Sequence, residues 1–96
     1  MASVNERATN ALRAALRRKG FVAVDALVRS SLIGPKLGKP GEGCLVELHT
    51  VGDRFTVVDY KQTTREPGWS ARREKFKGLH SAARRAVDLY AACRKR

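Results

Sequence analysis

The sequence predicts an α+β fold in which a three-stranded antiparallel sheet packs against an N-terminal and a C-terminal helix. Three observations lead there. Residues 4–16 and 81–95 repeat apolar side chains at three-to-four spacing, the period of an amphipathic helix. Residues 44–60, CLVELHTVGDRFTVVDY, alternate around Gly52-Asp53 as a β-hairpin does. The chain has 96 residues, which suits one small domain over 1–96 with a single modest core.

The elements follow in order. Ser3-Val4-Asn5-Glu6 fits the S-x-x-E capping box, in which the hydroxyl and carboxylate satisfy free N–H groups at a helix start. Val4, Ala8, Ala11, Leu12, Ala15 and Leu16 then share one arc. Arg17, Arg18 and Lys19 load the last turn, where cations complement the helix dipole, and Gly20 ends it. Residues 21–33, FVAVDALVRSSLI, fit either a strand or a short helix begun at Asp25, and their β-branched content favours the strand. GPKLGKPGEG, with four glycines and two prolines, reads as a loop exposing Lys36 and Lys39.

In the hairpin a two-residue turn at Gly52-Asp53 sets Leu48 opposite Val57. Cys44, Val46, Leu48, Thr50, Phe55 and Val57 then form the core face. Leu45, Glu47, His49, Val51, Arg54, Thr56, Val58 and Tyr60 form a mixed outer face. KQTTREPG is turn-rich. GWSARREKFKGL reads as a third strand, with Ala71, Arg73, Lys75 and Lys77 on one side and Arg72, Glu74 and Phe76 on the other. A helix with Trp69, Phe76 and Leu79 on one face is the competing reading. Ser81 offers a cap for the last helix, whose apolar face carries Ala82, Ala83, Ala86, Val87, Leu89, Tyr90 and Cys93.

Charge bounds the function. The chain carries a net +11, unevenly spread. Residues 1–20 hold five basic side chains and one acidic, residues 21–64 five of each, and residues 65–96 ten and three. An excess segregated to the two ends favours a polyanionic partner, of which nucleic acid is the commonest. No apolar run approaches the ~18 residues that span a bilayer, so no membrane partner is expected. No apolar stretch follows Met1, which argues against secretion and for the cytoplasm. Cys44 and Cys93 then read as free thiols, although a disulfide is possible. A zinc site would require both cysteines to converge with His49 and His80, so no metal or other cofactor is expected.

Catalysis is not expected either. There is no HExxH, GxSxG, phosphate-binding loop or paired-carboxylate pattern. Cys44 and His49 would lie on opposite faces of one strand and cannot meet. The expected function is non-catalytic nucleic-acid binding, to DNA or RNA, through a basic surface of low sequence specificity. Arg72, Arg73, Lys75, Lys77, Arg84 and Arg85 are the candidates for phosphate contacts. Trp69 or Tyr60 would stack on bases or sugars, and Lys36 and Lys39 would reach in from the loop. Trp69 fits equally well as a lid over the core.

The hairpin, the possible third strand and FKGLHSAARRAVDLYAAC resemble, over residues 44–93, the sheet-to-helix end of AP2-like DNA-binding domains of plant regulators and phage integrase arms. The order helix, strand, GPK loop (34–36), hairpin, helix is similar, more faintly, to a double-stranded-RNA-binding domain. Either resemblance implies a nucleic-acid partner and a sheet that backs onto helices. The other class of function open to such a chain is a small basic adaptor or inhibitor, of a kind phages often encode. It would bind an acidic surface on a host protein or ribonucleoprotein.

Overall fold

The computed structural model describes residues 3–39, 41–62 and 68–95. Helix α1 spans Val4–Arg18 and helix α2 spans Leu79–Arg94. Between them run five strands: β1 Val28–Arg29, β2 Lys36–Leu37, β3 Leu45–His49, β4 Phe55–Gln62 and β5 Trp69–Phe76. They form one antiparallel sheet in the order β1-β2-β3-β4-β5. The α+β class stands, but the expected three-stranded sheet is corrected to five strands. The two additions come from stretches read as an ambiguous segment and as a loop.

Helix α1 forms as its sequence directs. The Ser3 hydroxyl accepts a hydrogen bond from the Glu6 backbone N–H at 3.1 Å, and Ala8, Ala11, Leu12, Ala15 and Leu16 are buried. Val4, placed on the same arc, is exposed instead. Helix α2 starts two residues earlier than expected. Gly78 is its cap position and Ser81 lies within its first turn. Ala82, Ala83, Ala86, Val87 and Tyr90 join Leu37, Val46, Leu48 and Val57 in one core. Both helices were expected on the hairpin. In fact α2 lies across β2, β3, β4 and β5, while α1 packs beside it on α2, β1 and the short 3-10 turn Val24–Ala26.

Residues 21–33 are therefore neither a full strand nor a helix of useful length. After Ala23, whose φ is +52°, they make one 3-10 turn and then β1. Strand β2 arises inside the Gly/Pro-rich loop because β3 offers it an edge. Pairing extends past the two-residue strand, with Leu48 N–H donating to Pro35 C=O at 3.0 Å and Thr50 N–H to Ile33 C=O at 2.8 Å. So close an approach requires Gly34, whose φ is +138° and whose missing Cβ would fall 1.9 Å from the Leu48 carbonyl oxygen.

The β3–β4 hairpin has the register the sequence implies, with Leu48 opposite Val57. Its connection runs over residues 50–54 instead of two, because the last pair is His49 with Thr56. Strand β5 settles the competing readings of 69–76 in favour of a strand. The turn-rich stretch 61–68 lies largely outside the described residues.

The expectation of free thiols is also corrected. Cys44 and Cys93 form a disulfide, their Cα atoms 5.9 Å apart. Cys44 directly precedes β3 and is buried, and Cys93 sits in the last turn of α2, so the bridge fastens the helix end to the sheet. A polar cluster supports the same corner. The Tyr90 hydroxyl donates to the Glu42 carboxylate, and the Arg94 guanidinium lies 5.5 Å from the Phe21 ring centroid. Burial together with Glu42 pushes the Tyr90 phenol up to about 12. Among the described residues no helix is long and apolar enough to cross a membrane.

Candidate nucleic-acid interface

Residues directly opposite in an antiparallel pair project to the same side of the sheet. One side carries Val28, Leu37, Val46, Asp59 and Arg72 in register, with Leu48, Val57 and Glu74 in the next row. This is the side the helices cover. The other side carries a straight row Arg29–Lys36–Glu47–Val58–Arg73, one residue from each strand. At about 4.8 Å per strand the row spans roughly 19 Å. Flanking rows are His49–Thr56–Lys75 and Leu45–Tyr60–Ala71. Trp69 follows, opposite Gln62.

Glu47 is the only carboxylate in these rows, and it is 6% exposed although no helix covers it. Its cover comes from its own strand and the two beside it. Tyr60 O–H donates to Glu47 Oε1 at 2.8 Å, His49 Nε2 lies 3.0 Å from the same oxygen, and Lys36 Nζ lies 3.5 Å from Oε2. Burial pushes the Glu47 carboxyl up, but hydrogen bonds from His49 and Tyr60, with the His49 and Lys36 charges, outweigh it and hold it below the usual carboxylate range. An ionised carboxylate only accepts, so His49 Nε2 carries the proton in this pair. Burial and Glu47 push the Tyr60 phenol up, and Arg73 partly opposes them. The acid is thus neutralised locally, and the face stays basic.

The structure brings five of the expected residues together here: Lys36, Tyr60, Trp69, Arg73 and Lys75. Arg73 and Lys75 are exposed, and among the described residues neither has a carboxylate within 4 Å. Trp69 is 50% exposed, so it is no lid over the core. Lys77 is exposed just past the end of β5.

The remaining candidates lie elsewhere. Arg72 points to the helix side, its Nε 3.9 Å from Glu74. Arg85 on α2 grips the Glu74 carboxylate through Nε at 3.1 Å and Nη2 at 2.9 Å. Arg84 lines a groove with Arg18, Lys19 and Asp88 in the helix layer, where Lys19 pairs with Asp88 at 3.0 Å. Lys39 sits beside Phe21, Leu27 and Arg94 near the disulfide corner.

Sequence reasoning missed two features. Arg29 takes its place in the row only because β1 and β2 exist, and the one local signal was its alternation with buried Val28. The Glu47–His49–Tyr60–Lys36 cluster joins three strands, and no local pattern marks it.

The Arg85–Glu74 pair has a pH consequence. The Arg85 hydrogen bonds, with the Arg85 and Arg72 charges, lower the Glu74 pKa against a smaller effect of burial. A carboxylate with a lowered folded-state pKa contributes stability that is full above its unfolded value of about 4.3 and is lost as pH falls through the folded value. The urea midpoint is therefore expected to drop as pH is taken from about 6 to about 3. Glu74→Gln should shrink that drop, and an identical drop in the variant would count against the pairing.

The fold and its bare face together define a class: a small α+β protein with one antiparallel sheet, helices on one side and a basic, partly aromatic surface on the other. Comparison of the chain with protein-family models, with curated proteins and with solved structures finds no match.

Proposed function

We propose that this protein binds nucleic acid, without catalysis, through the helix-free face of its sheet. The observation that carries the reading is the register that aligns Arg29, Lys36 and Arg73 in one row with Lys75 beside it, while the one carboxylate in these rows, Glu47, is buried and bonded. Cations fixed on a rigid sheet neutralise phosphates and release their counterions. Such contacts position a backbone but read no bases, so low sequence specificity follows. The likenesses to AP2-like and double-stranded-RNA-binding domains lead to the same partner class. A binding role also fits the commitment of His49 Nε2–H to Glu47.

A cytoplasmic site of action suits a nucleic-acid partner. That compartment keeps most thiols reduced, so the Cys44–Cys93 bridge counts against it. The test is a gel-shift panel with duplex DNA, single-stranded DNA and duplex RNA at two salt concentrations. The expected result is a mobility shift that weakens steeply with salt and is displaced by unrelated nucleic acid. No shift with any of the three at low salt would overturn the proposal and favour an acidic protein partner.

A further inference from the structure

The bare face is divided into two strips. Among the described residues, the central row and the His49–Thr56–Lys75 row hold its charges. Toward the opposite end, Leu45, Tyr60, Ala71 and Trp69 carry none, and Trp69 is half exposed. Along β5 the two strips meet on one strand, in the order Trp69, Ala71, Arg73, Lys75 on the same side. A polymer lying along β5 would therefore meet flat apolar surface and cations at successive positions.

The aromatic pair has a defined spacing. Tyr60 is opposite Ala71, so Trp69 is its diagonal neighbour, at about 7–8 Å for such pairs. Bases stacked in a helix repeat every ~3.4 Å along a strand, less than half that distance. Two neighbouring bases fit the two rings only when they are unstacked from each other. Tyr60 is held ready for this. Its hydroxyl is tied to Glu47 on the adjacent strand, which keeps the ring from swinging away, and the Arg73 charge acts on it. A duplex hides the faces of its bases and has nothing to place on this uncharged strip.

We infer that the face takes single-stranded nucleic acid, with successive unstacked bases on Tyr60 and Trp69 and the adjoining phosphates on Arg73 and Lys75. The inference rests on the proposed nucleic-acid reading and adds the strand class. Trp69 is the chain's only tryptophan, so its emission reports contact directly. Short oligothymidylate, a duplex DNA of equal length and poly-glutamate are titrated at one salt concentration, following both affinity and Trp69 emission.

The expected result is quenching of Trp69 by oligothymidylate and tighter binding of it than of the duplex. In Tyr60→Ala the affinity for oligothymidylate should fall roughly 5- to 150-fold, the range for loss of one base–aromatic stack, with little change for the duplex. Trp69→Ala should do the same, and Trp69→Phe should restore most of the binding. Equal binding of both nucleic acids with Trp69 emission unmoved would overturn the single-strand inference and leave the nucleic-acid reading intact. Binding of poly-glutamate alone would overturn both.

Discussion

Reducing the Cys44–Cys93 disulfide is expected to destabilise the protein by about 4 kcal/mol, the chain-entropy value for a closed loop of this size. The bridge joins residues 49 apart, about half of the chain, and so removes much of the freedom of the unfolded state. A small domain has only about 5–15 kcal/mol in all, and each kcal/mol moves the melting temperature of a chain this size by roughly 4–8 °C. Thermal unfolding with and without reductant should differ by roughly 15–30 °C on that scale. The Cys44→Ser/Cys93→Ser variant should melt at the lower temperature under both conditions. Identical melting of the wild-type protein in the two conditions would contradict the prediction. The helix side of the sheet depends on this fastening, because α2 is the element that covers β2 to β5.

Gly34→Ala is expected to be far more damaging than Gly20→Ala. At φ +138° an alanine is strained, and its Cβ would meet the Leu48 carbonyl oxygen at 1.9 Å. That oxygen belongs to the backbone of β3 and cannot rotate aside, so β2 must leave the edge. Strain of about 1–3 kcal/mol plus lost pairing sets the cost at roughly 3 kcal/mol or more. Gly20 is the control. It also has positive φ, at +100°, but nothing lies within 4 Å of its added Cβ, so Gly20→Ala should show the strain alone. Urea unfolding of the two variants distinguishes them. A second consequence reaches the surface. Displacing β2 carries away Lys36 and the pairing that holds Arg29, so Gly34→Ala should also weaken nucleic-acid binding while Gly20→Ala should not.

The parts of this molecule that were legible in its sequence are those with a repeating period. Ala8, Leu12 and Leu16 mark the buried stripe of α1, and Ala82, Ala86 and Tyr90 that of α2. Alternation placed Val46, Leu48 and Val57 on one side and Glu47, Thr56 and Tyr60 on the other. It also separated Arg73 and Lys75 from Arg72 and Glu74, which is the division the site depends on. Two residues have no period of their own, so β2 left no trace and β1 left only the ambiguous alternation of residues 21–33. They are strands because β3 has an edge to fill, and the glycines that permit the approach also disguise it as loop. Cys44 and Cys93 each fell on the apolar face of a core element. The disulfide could have been inferred from the packing of those faces, but it could not be read from their spacing.

Half of the candidate site was legible for the same reason. Arg84 and Arg85 sit in a basic run, yet a run says nothing of direction, and the helix turns both away from the bare face. Arg85 meets Glu74 there. Arg29 lay in a segment with two competing periods. Glu47 reads as an ordinary outward-facing residue of a strand. Its burial depends on Lys36, His49 and Tyr60 arriving from three strands, and only the assembled sheet provides that.

On the proposed reading the helix-free face of the sheet, and not the helix layer, carries the contacts. This is tested most directly by the salt dependence of binding to single-stranded DNA in two charge-matched variants. One is Lys36→Ala/Arg73→Ala/Lys75→Ala on the face. The other is Arg17→Ala/Arg18→Ala/Arg84→Ala in the helix layer. Each lost phosphate contact flattens the slope of log K against log salt by about 0.7 on single strands. The face variant is predicted to flatten it by about 2, three such contacts, and the helix-layer variant to leave it near the wild-type value. The reverse ranking, or equal slopes in all three proteins, would contradict the account.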